Sequence, residues 1–445
     1  MDPQKLQELR KLVSGKVVTA GDAVYAKASH MQFGTIKPAV VVRPVSAEDV
    51  AATVGFIRVH KLPFAIRSGG HGGIATRLAD GLLLIDMSGL ATVEVVDEAK
   101  HLVRVGAGAL WGDVAGELEK HGLGISSGDT RTVGVGGLST GGGLGWMIRK
   151  YGPLVDNIAA VEVVTADGSI VTASDDENAD LFWAVRGGGS NFGVVTHFTF
   201  RAHPVAGIID GIITYPVKDV GKLLKGWRDA MRQAPAELTT MINILPSFNG
   251  QPPAFMLRGC FEGTDKAAAD RAFAPFLALG KPVHQDIAAK PYKKILEEGM
   301  PLANIRVIGH NMFVKEFTDE VIDAIDTICR AVPTPIVQVR HLAGAMQKHD
   351  DNATAFSHRD SEVLIVHPTF VAPNATKKEI AAAEAPWRVL EPFGQGAYLN
   401  LLSEDTGQEV AQAYPPATLQ RLKRIKARYD PDNLFTSNYN ITPTA

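Results

Sequence analysis

One histidine in this 445-residue chain sits inside a run of glycines: Arg67-Ser68-Gly69-Gly70-His71-Gly72-Gly73. Two more glycine runs follow, GVGGLSTGGGLG over 134–145 and RGGGSNFG over 186–193. Glycine lets backbone N–H groups come close to a ligand and adopt positive φ, which builds anion-binding concavities. The first two runs together could grip a pyrophosphate, with Arg67 in the first of them. The plain alternative is tight turning between elements. His71 also has two readings: a loop histidine bonded to backbone, or a nucleophile or attachment point for a bound cofactor.

Familiar nucleotide patterns are missing. No G-x-G-x-x-G occurs: after Gly134-Val-Gly136 the sixth position is Ser139, and after Gly141-Gly-Gly143 it is Trp146. No G-x-x-x-x-G-K-[ST] occurs either, so a Rossmann dinucleotide site and a P-loop are both disfavoured. The histidines lack metal-ligand spacing, and no metal site is expected. His358-Arg359 reads as a structural pair.

Composition narrows the classes further. Glycine supplies 44 of 445 residues, about 10% where roughly 7% is usual. Lys+Arg 45 against Asp+Glu 48 gives a net charge of −3. With no basic surplus for phosphate backbones, nucleic acid is not an expected partner. Cys260 and Cys329 cannot make a disulfide framework or a zinc site, and read as free thiols of a reducing compartment. No apolar run approaches the ~20 residues of a membrane span, and the opening MDPQKLQELRKLV lacks an apolar signal core. The expected location is cytoplasmic, with no membrane association. Oligomeric state is not legible.

The elements that must position these residues fall into two styles. Up to about residue 205, helices and strands alternate. Ser46-Ala-Glu-Asp49 resembles a capping box opening a helix. Short strands are expected at 62–66, 82–86, 93–96, 102–105, 159–165, 169–173 and 193–200, with a hairpin signal at Ala166-Asp167-Gly168 and a short helix over 178–185. Beyond 205, strands at 208–215, 239–245 and 255–261 alternate with amphipathic helices at 265–279 and 319–332. This implies an α+β fold whose second part is an antiparallel sheet flanked by helices. The expected division is 1–205, 206–404 and a closing 405–445. Period-2 alternation puts Gln338 and Arg340 on one face of a strand, and Tyr398 and Asn400 on one face of another.

Taken together, the runs at 67–73, 128–137 and 141–145 resemble the FAD-linked oxidases of the vanillyl-alcohol oxidase type, with a PCMH-type FAD-binding domain. The nearest branch is similar to the berberine-bridge-enzyme and 6-hydroxynicotine-oxidase family. Tyr151-Gly-Pro-Leu-Val-Asp-Asn157, Asp180-Leu-Phe-Trp-Ala-Val-Arg-Gly-Gly-Gly189, Ala355-Phe-Ser-His-Arg359 and Tyr429-Asp-Pro-Asp-Asn-Leu-Phe435 continue the likeness across nearly the whole chain. The resemblance implies a two-subdomain FAD-binding domain closed by the C-terminal segment, and a substrate domain whose sheet covers the flavin. It implies FAD joined through His71 to the flavin 8α-methyl. Arg67, Ser68, Gly69, Gly70, Gly72 and Gly73 would hold FAD from the first run. Gly128, Asp129, Thr130, Thr132, Val133, Gly134 and Gly137 would do so from the second, continued by Thr140, Gly141, Gly142, Leu144 and Gly145. Val195 matches a position beside adenine, and Asn438 and Asn440 match the tail beside the ring.

Two departures shape the expected chemistry. Doubly linked relatives carry a cysteine where this chain has Thr130, so one covalent link is implied. Val133 is small, which in plant relatives accompanies oxygen access and so favours an oxidase over a dehydrogenase. The implied reaction takes hydride from a C–H beside oxygen or nitrogen of a small molecule (alcohol, sugar, alkaloid or secondary metabolite) to flavin N5. Dioxygen then accepts the electrons, giving hydrogen peroxide. The acidic and phenolic groups that assist plant relatives count to Ile365 and Leu401 here, neither of which accepts a proton. Asn400 with Tyr398, and Gln338 with Arg340, are the expected substrate-side residues; His367 and Tyr414 stand in reserve. A flavin dehydrogenase, an oxidative cyclase, and a flavin-binding protein with little catalysis remain open.

Overall fold

Strand alternation and turn chemistry organise the chain into three main sheets. The structure is a computed structural model and describes residues 1–73, 78–247, 250, 252–298, 305–330, 335–404 and 406–444. The first sheet holds β1 (Lys16–Val18), β2 (Val40–Arg43), β3 (Phe64–Arg67) and β4 (Leu83–Asp86), in the order β1-β2-β4-β3. Helices α1 (Pro3–Leu12) and α2 (Ala47–His60) belong to this part. Ser46 caps α2 by accepting from the Asp49 N–H. The expected reciprocal half of the capping box does not form, because the Asp49 carboxylate instead accepts from the N–H groups of Ser14, Gly15 and Val45.

The second sheet holds β5 (Val93–Asp97), β6 (Leu102–Gly106), β7 (Ile158–Val164), β8 (Ile170–Ser174) and β9 (Val194–Arg201), in the order β8-β7-β9-β6-β5. β7 and β8 pair across the Ala166-Asp167-Gly168 turn, as the hairpin signal requires. Interspersed with the strands of this sheet in sequence are α3 (Trp111–Glu119) and α4 (Val135–Gly141), between β6 and β7, and α5 (Ala179–Val185), between β8 and β9. One continuous apolar core runs through both sheets, from Val40, Ile57 and Ile85 to Val105, Val163, Phe182 and Phe198.

The third sheet is wholly antiparallel and seven-stranded. Its strands are β10 (Ile208–Pro216), β11 (Leu238–Leu245), β12 (Ala254–Glu262), β13 (His284–Lys290), β14 (Arg306–Val314), β15 (Val337–His341) and β16 (Val363–Val371). The order is β13-β10-β12-β11-β15-β16-β14. Helices α6 (Val220–Gln233), α7 (Lys266–Leu277) and α8 (Asp319–Cys329) cover one face, burying Ile242, Ile244, Leu257, Val337, Val339 and Ile365. α8 stops at Cys329; the rest of the expected helix, at 331–332, lies outside the described residues. The opposite face carries the polar alternates Asn243, Gln338 and Arg340.

The α+β class is thus the observed one, and the expected junction near 205 falls just before β10. α9 (Pro416–Tyr429) returns the chain to the first core through Leu422 and Ile425. Both cysteines are free and buried. No helix among the described residues is long and apolar enough to cross a membrane.

Two expectations fail on parity and local geometry. Residues 399–401 form a 3-10 turn, not a strand. The Asn311 side chain takes both backbone bonds of Tyr398, accepting from its N–H at 2.7 Å and donating to its carbonyl at 3.0 Å. With its ladder bonds taken by a side chain, the segment turns on itself. Ile365 faces the helices, so the neighbours that reach the polar face are Leu364 and Val366, opposite Arg340 and Gln338.

Candidate active site

The end of β3 delivers the first glycine run. Arg67 lies opposite Asp86 in the parallel ladder, and its guanidinium is spent on that carboxylate at 2.8 Å and on the carbonyls of Ala28 and His30. Arg43 grips the same oxygen of Asp86. Burial opposes ionisation of Asp86, yet the two arginines outweigh it and hold the carboxyl below its usual range. The Arg67 side chain therefore shapes the loop and does not reach toward an anion.

The first two runs meet backbone to backbone. A Cβ on Gly69 would strike the Gly134 nitrogen, and one on Gly134 would strike the Gly69 nitrogen. Ser68 ties the contact, donating to the Ala107 carbonyl at 2.6 Å and accepting from the Gly136 N–H at 3.2 Å. Gly73 packs against Leu402 and Ser403, while Gly72 is exposed. His71 is not unshielded, as its neighbours in sequence suggest: Thr132 of the second run meets its Nε2 at 2.9 Å. Burial pushes the imidazole below its usual value, with Asp129 opposing, which keeps it neutral.

The second run is laced to both halves of the molecule. The N–H groups of Trp111 and Gly112, at the start of α3, donate to the carbonyls of half-buried Val133 and of Arg131. From the other side Glu297 donates to the Asp129 carbonyl at 2.7 Å and accepts from the Arg131 N–H, forming a bridge at Thr130. Gly128 packs on Leu138, and Gly145 lies against the Ser127 backbone. Thr140 donates to the Gly136 carbonyl within α4. Gly137-Leu-Ser-Thr-Gly141 also spells the G-x-S-x-G pattern of serine hydrolases, a pattern the sequence reading took to be absent. Here it lies in α4 with Ser139 fully buried, so no nucleophile is presented.

Opposite these loops stands the polar face of the third sheet. Arg340 donates to the Asp129 carboxylate at 2.6 Å and to Gln338 Oε1 at 2.6 Å, and lies 3.4 Å from the Leu144 carbonyl. Gln338 donates onward to Asn243 Oδ1 at 2.8 Å. Burial opposes ionisation of Asp129, but Arg340 and the Thr130 hydroxyl keep its carboxyl below the usual range. Such a carboxylate is a weak proton acceptor.

Tyr398 and Asn400 complete the site from the 3-10 turn. The Tyr398 hydroxyl accepts from the Gly143 N–H and from Asn400 Nδ2, each at 2.9 Å. Burial pushes the phenol up to about 12. Positive φ at Gly142 and Gly143 forms the corner, where a side chain at 142 would also strike Phe356 and Tyr398. A side chain at Gly141 would strike Asn400. The reserve candidates lie elsewhere: His367 stacks on Trp387 on the helix-covered face, and Tyr414 donates to the Gly187 carbonyl. His358 bonds the Ala413 carbonyl, and Arg359 pairs with Asp156, both structural.

The tail closes the third glycine run. Asn438 donates to Ser190 at 3.1 Å, and Asn191 holds the tail through the Tyr439 carbonyl and the Ile441 N–H. Val195 is buried in β9 opposite Val163. Several features fit a bulky anionic cofactor. The buried Oδ1 atoms of Asn438 and Asn440 have no partner among the described residues. The N–H groups of Gly69, Gly70 and Gly72 likewise donate to none of them. A Cβ on exposed Gly137 would meet open space.

Sequence reasoning missed Asn243, Asn311 and the Gly143 N–H. Asn243 had a signal, since a polar residue alternates with Met241 in the apolar half of its strand, between Ile242 and Ile244. Asn311 and Gly143 had none, because their roles depend on Tyr398 arriving from far along the chain.

Comparison with known proteins places the chain in a family. The family model described as FAD binding domain matches residues 38–174, and the one described as berberine and berberine like matches 397–442. An FAD-linked oxidoreductase of Dictyostelium discoideum is 30% identical, with 99% of this chain and 97% of that protein covered. An FAD-dependent monooxygenase of Cochliobolus heterostrophus is 36% identical over 96% of this chain and 88% of its own. The crystal structure of 6-hydroxy-D-nicotine oxidase from Arthrobacter nicotinovorans superposes with a TM-score of 0.84. It is 28% identical, covering 97% of this chain and 98% of that one.

Proposed function

The chain belongs to the FAD-linked oxidoreductases, and from that premise we propose that it is an oxidase of a small organic molecule, with FAD attached through His71. The observation that carries this reading is the meeting of the two glycine runs beside His71, directly across from a polar sheet face. Residues 1–205 and 405–445 are assigned to the FAD-holding part and 206–404 to the substrate part. Within the former, the loop amides of 67–73 and 128–145 bind the pyrophosphate and ring, Val195 lies by the adenine, and Asn438 and Asn440 border the ring.

When bound, FAD would supply a two-electron acceptor for oxidation of a C–H beside oxygen or nitrogen, with N5 as the hydride acceptor and dioxygen, reduced to hydrogen peroxide, as the final oxidant. The rest is the work of the chain. Neutral His71 offers a nitrogen lone pair for attachment, and Thr132 orients its ring. Asn400 and Tyr398 meet the substrate from one side, Gln338 and Arg340 from the other. Among the described residues of this face no free carboxylate or histidine stands ready as a base, since Asp129 is held by Arg340. That suits a substrate whose reacting group needs no prior loss of a proton, such as a neutral amine.

The test is to purify the protein and record its visible spectrum. Alcohols, sugars, amines and phenols are then screened for anaerobic bleaching and aerobic peroxide release. A yellow protein that some substrate bleaches, with peroxide formed in air, is the expected result. Bleaching without oxygen uptake would identify a dehydrogenase instead.

A further inference from the structure

The side chains on the polar face of the third sheet are oriented as a chain, and the orientation has one origin. A guanidinium has donors only. Arg340 therefore turns the Gln338 carbonyl oxygen toward itself, at 2.6 Å from Nε. The Gln338 amide nitrogen must then face Asn243, and it meets Oδ1 at 2.8 Å. That leaves Asn243 Nδ2 pointing away from the chain, and among the described residues it donates to nothing. The start of the chain is Asp129, whose carboxylate fixes Arg340 from the second glycine run at 2.6 Å.

The opposite side ends in the same polarity. The Tyr398 hydroxyl already accepts two hydrogen bonds, from Gly143 and Asn400, so its own hydrogen is free to donate. Asp129 and Arg340 cancel in charge. The donors of Asn243 and Tyr398 therefore stand in a site without net positive charge, beside one acceptor, Asn400 Oδ1, that no described residue engages.

We infer that the substrate presents an accepting oxygen, as a carboxylate, carbonyl or phenolate, to the Asn243 amide, and that Asp129 is the positioning residue that holds Arg340, the origin of this polarity, in place. The inference rests on the reading that this face meets the substrate of a flavin enzyme. A protonated amine or amidine would set its donors against those of Asn243 and Tyr398. A reversed relay would require an acceptor on Arg340, which does not exist.

The probes are benzoate and benzamidine, alike in shape and opposite in hydrogen-bonding character, titrated into the FAD-loaded protein while the visible flavin band is followed. Benzoate is expected to bind at least about tenfold more tightly, the effect of one charge-assisted hydrogen bond. Asn243→Asp replaces the outward donor with an acceptor and should reverse the preference. Asp129→Asn should narrow the benzoate-to-benzamidine ratio about tenfold, and Asp129→Glu should restore it. A purely structural role would alter melting or flavin content but not that ratio. Equal or tighter benzamidine binding, an unreversed preference in Asn243→Asp, or no spectral shift with either probe overturns the inference. Failure of the underlying reading is separately visible, as a protein that purifies colourless.

Discussion

The Arg340 guanidinium lies 2.6 Å from the Asp129 carboxylate, although 211 residues separate them. The pair joins the sheet of one half of the molecule to the glycine run of the other. Neither side chain is fully buried, so the pair is neither a free surface bridge nor a dry one. Arg340→Leu leaves Asp129 without its partner and should cost about 1–3 kcal/mol at pH 7. The folded carboxyl is held below its unfolded value of about 3.9. The stabilisation is therefore present above that value and is lost as pH falls through the lower folded one. Urea unfolding at pH 7 and pH 3 should show a smaller difference for Arg340→Leu than for wild type. An unchanged difference would mean the pair contributes nothing.

His71 provides the sharpest chemical test. After acid precipitation the wild-type pellet should stay yellow, and His71→Ala should release all colour to the supernatant. If the wild-type supernatant carries the colour, there is no histidyl link.

Gly137 separates cofactor binding from folding. A methyl there meets no neighbouring atom of the described residues, so Gly137→Ala should melt within about 0.5 kcal/mol of wild type without cofactor, as an uncrowded substitution does. It should nonetheless take up FAD poorly if, as proposed, the cofactor fills that open space. Full flavin content in Gly137→Ala would place the pyrophosphate elsewhere.

Tyr398→Phe removes the acceptor of the buried Gly143 N–H. An unmade buried bond costs about 1–3 kcal/mol, and turnover should fall with it. Because burial raises the phenol to about 12, it stays protonated across ordinary assay conditions. The pH–rate profile between 8 and 11 should thus have the same shape in wild type and Tyr398→Phe. A limb present only in wild type would show that Tyr398 ionises during turnover.

Lys426 and Asp430 form an ion pair with neither side chain exposed, and Lys426 also donates to the carbonyls of Asn191 and Phe435. Lys426→Met leaves a buried carboxylate unpaired, which should cost about 3–5 kcal/mol in chemical denaturation. Because Asp430 holds the N–H groups of Leu434 and Phe435, the same change should loosen the tail and increase proteolysis after 435. Near wild-type stability would show that water reaches this pair.

Local rules read the sequence well where they act alone. The turn at Ala166-Asp167-Gly168 and the alternation of Val337, Gln338, Val339 and Arg340 need only neighbouring residues, and both are present in the structure. The count taken from the resemblance landed on Ile365, which faces the helices, because such a count does not say which face a strand residue presents. At 398–400 a strand was expected, but Asn311 supplies the bonds that a neighbouring strand would have made. Arg67 was legible as a residue beside the loop. Its partner was not, because Asp86 reaches it only when β3 and β4 pair.

By itself the sequence determined that glycine runs flank His71, that no dinucleotide or P-loop pattern explains them, and which strands carry polar alternates. Those are properties of spacing, and spacing survives without a fold. Only the tertiary structure decided that Gly69 and Gly134 touch, that Thr132 covers His71, and that Asp129, Arg340, Gln338 and Asn243 are bonded in series. Each of these joins residues far apart in the chain, and a hydrogen bond's direction depends on the group it meets.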